Sequence, residues 1–383
     1  MQTPQSFPSR LVIYLSFAAT GMGMALPGAV LPALLAHWSL ADRQAGLLFF
    51  LGWMGSSIGA LMVRPSRSRS IAAGSLLIAA GAVGMGFSSK TGSFVSMTVF
   101  GLGLGLTMTA TSLLQAARHV DRRGAELNRL NLIWALGAST CPTLAEHSLR
   151  VASARAIFCA LGLFFVAVSV WAYALERDPD RGVQTAPVPV PWRKGWSLSL
   201  WPLPLVIMML LPSGIESSMG GWIAAYVQRT HHAIAMTVTA GSLFWIGLML
   251  SRTLVFSIAA LHRAEPLVLR VSLCLVLAGT LIVIADSARL GALPGIFLLG
   301  FGLGPVFPLL LAIALQYSEN TAIFFMAGLG SAFFPWLTGV VSSAAGSLRA
   351  GLLVPLAASA LLAVLGFRVS AGQHRVEVAS RKN

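Results

Sequence analysis

A single carboxylate, Glu216, lies inside a long apolar run, residues 201–227, which holds no other charged residue. An ionised side chain at the centre of a membrane costs about 3 kcal/mol by insertion scales, so such residues usually face a bundle interior or a wet cavity. Because burial disfavours the charged form, this carboxyl group can bind and release a proton, or hydrogen-bond a solute hydroxyl. The alternative is structural, with a neighbouring helix satisfying the carboxylate through Arg252.

Amide and aromatic side chains in other apolar runs supply the remaining groups of a small-molecule site, which combines apolar walls with a few convergent polar groups. We predict that the substrate-binding residues are Gln115, Asn131, Trp134, Glu216, Trp222, Trp245, Phe334 and Trp336, with Glu216 also coupling protons.

Most of these residues also have a more ordinary interpretation. The amides of Gln115 and Asn131 could cap or bridge helices. Trp222 could belong to an aromatic belt at the membrane interface. Trp245 and Trp336 could simply pack within a helix bundle. Residue type and spacing leave these alternatives open.

The composition predicts the environment in which these residues lie. Of the 383 residues, 56% are hydrophobic and 10% are charged, whereas an average soluble domain has about 25% charged residues. A spanning helix needs roughly 20 apolar residues, and the apolar runs here are continuous rather than alternating, as barrel strands would be. We predict an all-α membrane protein with twelve transmembrane helices, at 11–36, 43–63, 70–88, 93–116, 130–147, 154–175, 201–228, 236–258, 267–286, 293–317, 323–343 and 350–369.

The positive charge follows the predicted topology. The net charge is +14, and Lys and Arg concentrate in alternate connections, beginning with the N-terminal segment. By the positive-inside rule, this pattern predicts a multi-pass protein of a bacterial-type inner (plasma) membrane with both termini in the cytoplasm. The charge is therefore no indication of nucleic-acid binding.

No pattern in the sequence is typical of catalysis. Cys141, Cys159 and Cys274 are scattered and have neither disulfide nor metal-ligand spacing. We find no nucleotide-binding loop, no metal cluster and no Ser/His/Asp arrangement outside the apolar runs. The sequence predicts a protein that is not an enzyme, with no catalytic residue, cofactor or metal.

The chain divides into two halves that resemble each other. A proline-rich polar segment is typical of a semi-rigid linker, and it predicts a six-helix bundle at 1–175, a cytoplasmic linker at 176–200, a second six-helix bundle at 201–369 and a cytoplasmic tail at 370–383. The run Gly101-Leu-Gly-Leu-Gly105 recurs as Gly300-Phe-Gly-Leu-Gly304. Corresponding Gly and Pro interruptions in two halves point to a transporter with repeated architecture, and we expect these glycines to permit close helix contact.

Several segments resemble the major facilitator superfamily, and more specifically its fucose-permease and glucose/galactose-type sugar porter branch. Span seven has Glu216 followed by Gly220-Gly-Trp222, and span eight has Phe244-Trp-Ile-Gly247 and then Arg252. Similar patterns are Asn131…Gly137-Ala…Pro142 in span five, Gly302-Leu-Gly-Pro305-Val-Phe-Pro308 in span ten and Gly328-Leu-Gly-Ser-Ala-Phe-Phe-Pro335-Trp336 in span eleven.

The chain departs from this family pattern at two places. The superfamily's loop between spans two and three has an Asp where this chain has Val63, and a Gly where it has Ser66. Fucose permease also uses acidic residues in spans one and four, and this chain has none there. Only the acid of span seven is available for proton coupling.

The resemblance implies a monomeric secondary transporter, surrounded by membrane lipid, that moves a small neutral solute by alternating access. A hexose-type sugar carried together with a proton is the expected substrate. The first alternative is efflux of amphipathic compounds, which suits the Met-rich and aromatic span seven. The second is a non-transporting membrane sensor or lipid-handling protein.

Overall fold

The computed structural model describes residues 7–119, 123–176, 203–231, 234–258, 261, 264–285, 292–317 and 322–380. Every regular element within these ranges is a helix. Except for Glu176, the predicted linker lies outside the described residues, as do residues 381–383 of the predicted tail. The rest of that tail continues the last helix to Ser380.

Twelve of the helices in the described ranges have 20 residues or more, and nine of these are long and apolar enough to cross a membrane. The all-α membrane fold is therefore confirmed. The helices are α1 (Phe7–Ala29), α2 (Leu31–Trp38), α3 (Asp42–Leu61), α4 (Arg67–Phe87), α5 (Lys90–Arg118), α6 (Arg123–Val151), α7 (Ala154–Glu176), α8 (Leu203–His231), α9 (Ile234–Ser257), α10 (Glu265–Ala285), α11 (Ala292–Tyr317), α12 (Ala322–Ala345), α13 (Leu348–Gly351) and α14 (Leu353–Ser380).

The first predicted span, 11–36, is wrong as a single helix. It is interrupted at Val30, which has a φ of −96° and a ψ of 3° and precedes α2. Pro32 lies at the second position of α2, where its missing N–H group does no harm because the first turn of a helix has no intrahelical acceptors for its N–H groups. Ser39, with a φ of +48°, then ends α2 in the left-handed region.

The chain divides into two compact units, and the division falls inside the predicted linker. The first unit comprises Met1–Leu40 and Leu47–Val190, and the second comprises Ala41–Gly46 and Pro191–Asn383. The first turn of α3 thus belongs to the second unit. The domain limits at 175 and 200 stay a prediction.

The helices of the two units pair in the same pattern. In the first unit α4 packs against α5 and α7, and α1 packs against α6. In the second unit α10 packs against α11 and α14, and α8 packs against α12. The same pairing of the first, third, fourth, fifth and sixth long helices supports the internal repeat that the glycine runs indicated.

The glycine run of α5 makes backbone contacts with two neighbouring helices. A Cβ atom at Gly101 would overlap the carbonyl oxygen of Gly52, and one at Gly105 would overlap that of Ser56, both on α3. A Cβ atom at Gly103 would instead overlap the backbone of α4. The predicted role of these glycines in close helix contact is confirmed.

The glycine run of α11 repeats this arrangement in the second unit. A Cβ atom at Gly300 would overlap the carbonyl oxygen of Phe244, and one at Gly304 would lie 2.6 Å from that of Leu248, both on α9. A Cβ atom at Gly302 would lie 2.7 Å from a backbone nitrogen of α10. Each run therefore fixes its helix against two others through main-chain atoms.

Gly101→Ala and Gly300→Ala should both destabilise the protein. A new methyl group that meets backbone atoms cannot be accommodated by a rotamer change, and overpacking costs about 1–3 kcal/mol. We expect the midpoint of thermal unfolding in detergent to fall by roughly 5 °C. Gly86→Ala is the control, since its Cβ atom would lie 3.2 Å from the flexible Arg155 side chain and no closer than 3.6 Å to Cys159 or to the backbone of Arg155. An equal loss in the control would show that backbone contact is not the cause.

Candidate functional site

Glu216 forms an ion pair with Arg252 inside the second unit. The Nη2 atom of Arg252 donates to Oε2 of Glu216 at 3.2 Å, and the two side chains are 21% and 19% exposed respectively. The structural partner that the sequence offered for the carboxylate is therefore present. The two opposite charges compensate each other in a setting where either one alone would be costly.

The indole ring of Trp245 lies next to this ion pair. A Cβ atom at Gly220, one turn after Glu216 on α8, would lie 2.8 Å from that ring. Trp245 is two turns before Arg252, so both project from the same side of α9. Its ring is 5% exposed and packs edge-on against Phe244 with centroids 5.1 Å apart. Trp245 therefore places an aromatic ring about one helical turn from Glu216.

A proline in α11 provides the second anchor of Arg252. Pro308 has no N–H group, so the carbonyl oxygen of Gly304, four residues earlier, lacks its usual helical donor. The Nε atom of Arg252 donates to that oxygen at 2.9 Å. A Cβ atom at Gly304 would lie 3.3 Å from Cγ of Arg252 and would overlap Oγ of Ser251. The Gly and Pro of this segment thus create an acceptor and the space to reach it.

Pro308→Ala should change stability and transport in opposite directions. Alanine restores an N–H group that competes with Arg252 for the Gly304 oxygen, and it removes an interior proline that costs a helix about 3 kcal/mol. We expect a raised unfolding midpoint and, for the proton-coupled transport that the sequence predicts, slower uptake. Pro305→Ala, in the same helix, is the control and should keep normal uptake. Unchanged uptake by Pro308→Ala would show that Arg252 does not need this anchor.

A second proline exposes a carbonyl group to α8 in the same way. Pro335 leaves the oxygen of Ser331 without its helical donor, and Oγ of Ser217 donates to it at 3.0 Å. The indole nitrogen of Trp222, whose side chain is fully buried, donates to the carbonyl oxygen of Pro335 at 3.0 Å. Trp222 therefore joins α8 to α12, and its N–H group is already engaged.

The two other predicted aromatic residues lie on α12. The ring of Phe334 covers Gly214, two residues before Glu216, since a Cβ atom there would lie 2.5 Å from its Cδ2 atom. Trp336 is half-buried, and its ring centroid lies 5.6 Å from that of Phe333. The structure thus brings Glu216, Trp222, Trp245 and Phe334 together around α8, and Trp336 follows on α12.

The remaining predicted residues, Gln115, Asn131 and Trp134, lie in the first unit. Gln115 is 1% exposed on α5, and its amide oxygen has no hydrogen-bond partner in the described part of the chain. Asn131 is exposed on α6, and Trp134 is 8% exposed there. Their role in substrate binding stays a prediction.

The ion pair has no counterpart in the first unit. Gly330 packs on the carbonyl of Leu210 as Gly137 packs on that of Ala18, which makes Met24 the equivalent of Glu216. Gly300 packs on the carbonyl of Phe244 as Gly101 packs on that of Gly52, which makes Ala60 the equivalent of Arg252. The charged pair is thus a property of one repeat only.

A second ion pair in the same unit was not predicted. Arg229, at the end of α8, binds Asp42 with two hydrogen bonds, of 2.8 and 2.7 Å, and Ser342 donates to Asp42 at 2.5 Å. Bidentate pairs of this kind are among the stronger ones. No sequence pattern indicated this pair, because Asp42 lies far from Arg229 and Ser342 along the chain.

The chain matches the family model of the Major Facilitator Superfamily over residues 13–327. The chain belongs to this superfamily. It is therefore a multi-pass membrane transporter that works by alternating access and binds a small-molecule substrate, and it is not an enzyme. The sugar-porter branch implied by the sequence patterns is not established by this match.

Other known superfamily members are similar to this one over most of its length. It is 25% identical to the cyanate transport protein CynX of Escherichia coli (strain K12) over 299 residues, 74% of this chain and 75% of that one. It resembles the inward-facing, unoccupied structure of a bacterial homologue of the human lysosomal transporter Spinster, with 12% identity, a TM-score of 0.71 and coverage of 96% and 98%. It also resembles a mutant peptide transporter POT in complex with sulfate, with 15% identity, a TM-score of 0.72 and coverage of 98% and 96%.

Proposed function

We propose that the protein is a symporter in which Glu216 carries a proton and Arg252 responds to its charge. The observation that supports this is the Glu216–Arg252 pair itself, at 3.2 Å within α8 and α9. Charged residues inside spanning helices are expensive and commonly mark proton or substrate pathways. An apolar pair of similar volume would pack there at least as stably, so stability alone does not account for the pair.

Proton binding changes the charge of this pair. When Glu216 is ionised, the two side chains neutralise each other. When Glu216 is protonated, Arg252 remains as a cation, held by the Gly304 oxygen. Solute binding to Arg252 and proton binding to Glu216 therefore influence each other, and such linkage is reciprocal.

The first candidate solute is a hexose-type sugar, as the sequence indicated. Phe334 and Trp336 are half-buried aromatic residues, and Trp245 lies beside the ion pair. Aromatic walls with a few polar groups are typical of small-molecule sites. A neutral sugar leaves the charge of Arg252 uncompensated when Glu216 is protonated, so this symport would move one net charge.

The second candidate is a small monovalent anion. In the described part of the chain, only the Nε and Nη2 atoms of Arg252 have partners, so Nη1 is available to an anion. The similarity to a cyanate transport protein favours the same class. An anion bound together with the proton restores a net charge of zero at the pair. Of the two classes, only the anion uses the charge of Arg252.

We also propose a membrane location, an orientation and an oligomeric state for the protein. The concentration of Lys and Arg in alternate connections supports an inner membrane with both termini in the cytoplasm. A monomer is sufficient for the mechanism, because Glu216, Arg252 and the Gly304 oxygen all belong to one chain.

Uptake into proteoliposomes tests the proposal. Labelled galactose and labelled cyanate are offered with the outside more acidic than the inside, and we expect one of them to accumulate. A membrane potential imposed with potassium and valinomycin separates the two classes, because 60 mV acts on a net charge by about 1.4 kcal/mol. Galactose uptake should respond to the potential, whereas electroneutral proton–cyanate uptake should not.

Other results would exclude symport of these classes. Uptake that does not depend on the pH gradient would exclude proton coupling. Extrusion of an amphipathic dye, without uptake of either solute, would favour the efflux alternative. If the protein shows no transport and no ligand-dependent rise in thermal stability, a sensor or lipid-handling role is favoured.

A further inference from the structure

Arg67 and Arg118 lie at the same end of the first unit, where α4 begins and α5 ends. The two helices are antiparallel: a Cβ atom at Gly81 would overlap the backbone of Phe100, and one at Gly74 would overlap Oγ1 of Thr107. A residue nearer the start of α4 therefore lies level with a residue nearer the end of α5. By this register Arg67, the first residue of α4, lies level with Leu114, about one turn before α5 ends at Arg118.

Both arginines lie on the facing sides of these helices. Arg67 precedes Gly74 by about two helical turns, so it shares the side of α4 that contacts α5. Arg118 follows Thr107 by about three turns and shares the side of α5 that contacts α4. Two cations are thus directed into one interface.

No carboxylate compensates them in the described part of the chain. Arg67 is 7% exposed, and its Nη1 atom donates to the carbonyl oxygen of Arg64 at 2.6 Å. Arg118 is half-buried and has no hydrogen bond or ion pair there, and Arg64 adds an exposed third cation. Val63 occupies the position where the superfamily pattern has an Asp. Partly desolvated cations at one helix interface are unfavourable when no opposite charge accompanies them, so an external anion would stabilise them.

Gln115 is a second and independent sign of a ligand at this place. It lies one turn before Arg118, is 1% exposed, and its amide oxygen has no hydrogen-bond partner in the described ranges. A buried acceptor without a donor is unfavourable. A ligand that brings both an anionic group and a hydroxyl group would satisfy the arginines and this oxygen together.

We propose that Arg64, Arg67 and Arg118 bind the phosphate of an anionic phospholipid, and that Gln115 accepts a hydrogen bond from a hydroxyl of its head group, as phosphatidylglycerol provides. The apolar spans of α4 and α5 start at Arg67 and end at Arg118, which places the site at the level of lipid head groups. The N-terminus of α4 contributes its positive end. This site does not involve Glu216 or Arg252, and it assigns Gln115 to a lipid head group rather than to the solute.

Thermal unfolding of the full-length protein in detergent tests the proposal. The probes are short-chain phosphatidylglycerol, phosphatidylcholine and inorganic phosphate at equal concentrations. We expect phosphatidylglycerol to raise the midpoint by about 5 °C and the other two to raise it by far less. Equal shifts with both lipids would overturn the proposal. A full shift with inorganic phosphate alone would assign the site to free phosphate and overturn the lipid assignment.

Single substitutions test which residues are responsible for the phosphatidylglycerol-dependent rise in the unfolding midpoint. Arg118→Gln should lose most of the phosphatidylglycerol shift, and Arg64→Gln, an exposed position, should lose part of it even if the first variant folds poorly. Arg155→Gln is the matched control, since it removes the same charge near Gly86 at the other end of the unit, and it should keep the full shift. Gln115→Leu should remove the preference for phosphatidylglycerol over phosphatidic acid. A full shift in both Arg64→Gln and Arg118→Gln would contradict the site.

Discussion

Proteoliposomes carrying Glu216→Gln should lose accumulation driven by a pH gradient. One proton per solute allows at most about a tenfold gradient for each pH unit, because a factor of ten corresponds to about 1.4 kcal/mol. Glutamine keeps the shape of the side chain and an oxygen for Arg252, but it cannot release a proton. We therefore expect the accumulation ratio to fall from about ten to about one, while exchange of labelled for unlabelled solute continues.

Glu146→Gln is the matched control for this experiment. Glu146 is also a carboxylate paired with an arginine, Arg150, but it lies on α6 in the first unit. This variant should accumulate solute as the unmodified protein does. If Glu216→Gln retains full accumulation, then Glu216 is not the proton carrier, whatever the solute proves to be.

Removing the cation should have the largest effect on stability. Arg252→Gln leaves the Glu216 carboxylate without its partner among apolar neighbours, and losing one member of a buried pair costs about 3–5 kcal/mol. Because Glu216 is 19% exposed, we expect a loss near the lower limit, about 3 kcal/mol. Thermal unfolding should show a midpoint lowered by roughly 10 °C.

The double variant separates this charge effect from simple loss of packing. Glu216→Gln with Arg252→Gln leaves no unpaired charge, so most of the lost stability should return, and the double-mutant cycle should give a coupling above about 1 kcal/mol. Arg150→Gln, at a pair whose arginine is 64% exposed to solvent, should cost less than about 1 kcal/mol. Additive losses in the cycle would mean that Glu216 and Arg252 do not stabilise each other.

The fold was largely predictable because apolar length and glycine spacing act locally. Continuous apolar runs gave the long helices, and the run Gly101 to Gly105 indicated close contacts that the structure contains. The interruption at Val30 was missed, because the apolar run continues without a change in composition. Hydropathy alone does not detect a break inside a run.

The candidate site was predictable only in part. Glu216 stood out as an isolated charge, and Arg252, inside the next predicted span, was named as its possible partner. The Gly304 oxygen was missed because sequence inspection considers side chains, whereas this acceptor belongs to the main chain. A usable signal does exist: an interior proline, here Pro308, exposes the carbonyl group four residues earlier.

Two hydrogen-bond acceptors around α8 and α9 are main-chain carbonyl oxygens, so a substitution at Gly304 or Ser331 does not remove the oxygen itself. Every amino acid supplies a carbonyl oxygen, so the acceptors at Gly304 and Ser331 depend on Pro308 and Pro335, while residue 304 must also stay a glycine to leave room for Arg252. Side chains around these two oxygens can be substituted during evolution, so that the protein comes to bind a different solute. Descendants with different cargo should then keep both prolines, which makes these two positions better markers of a shared mechanism than any solute-contacting residue.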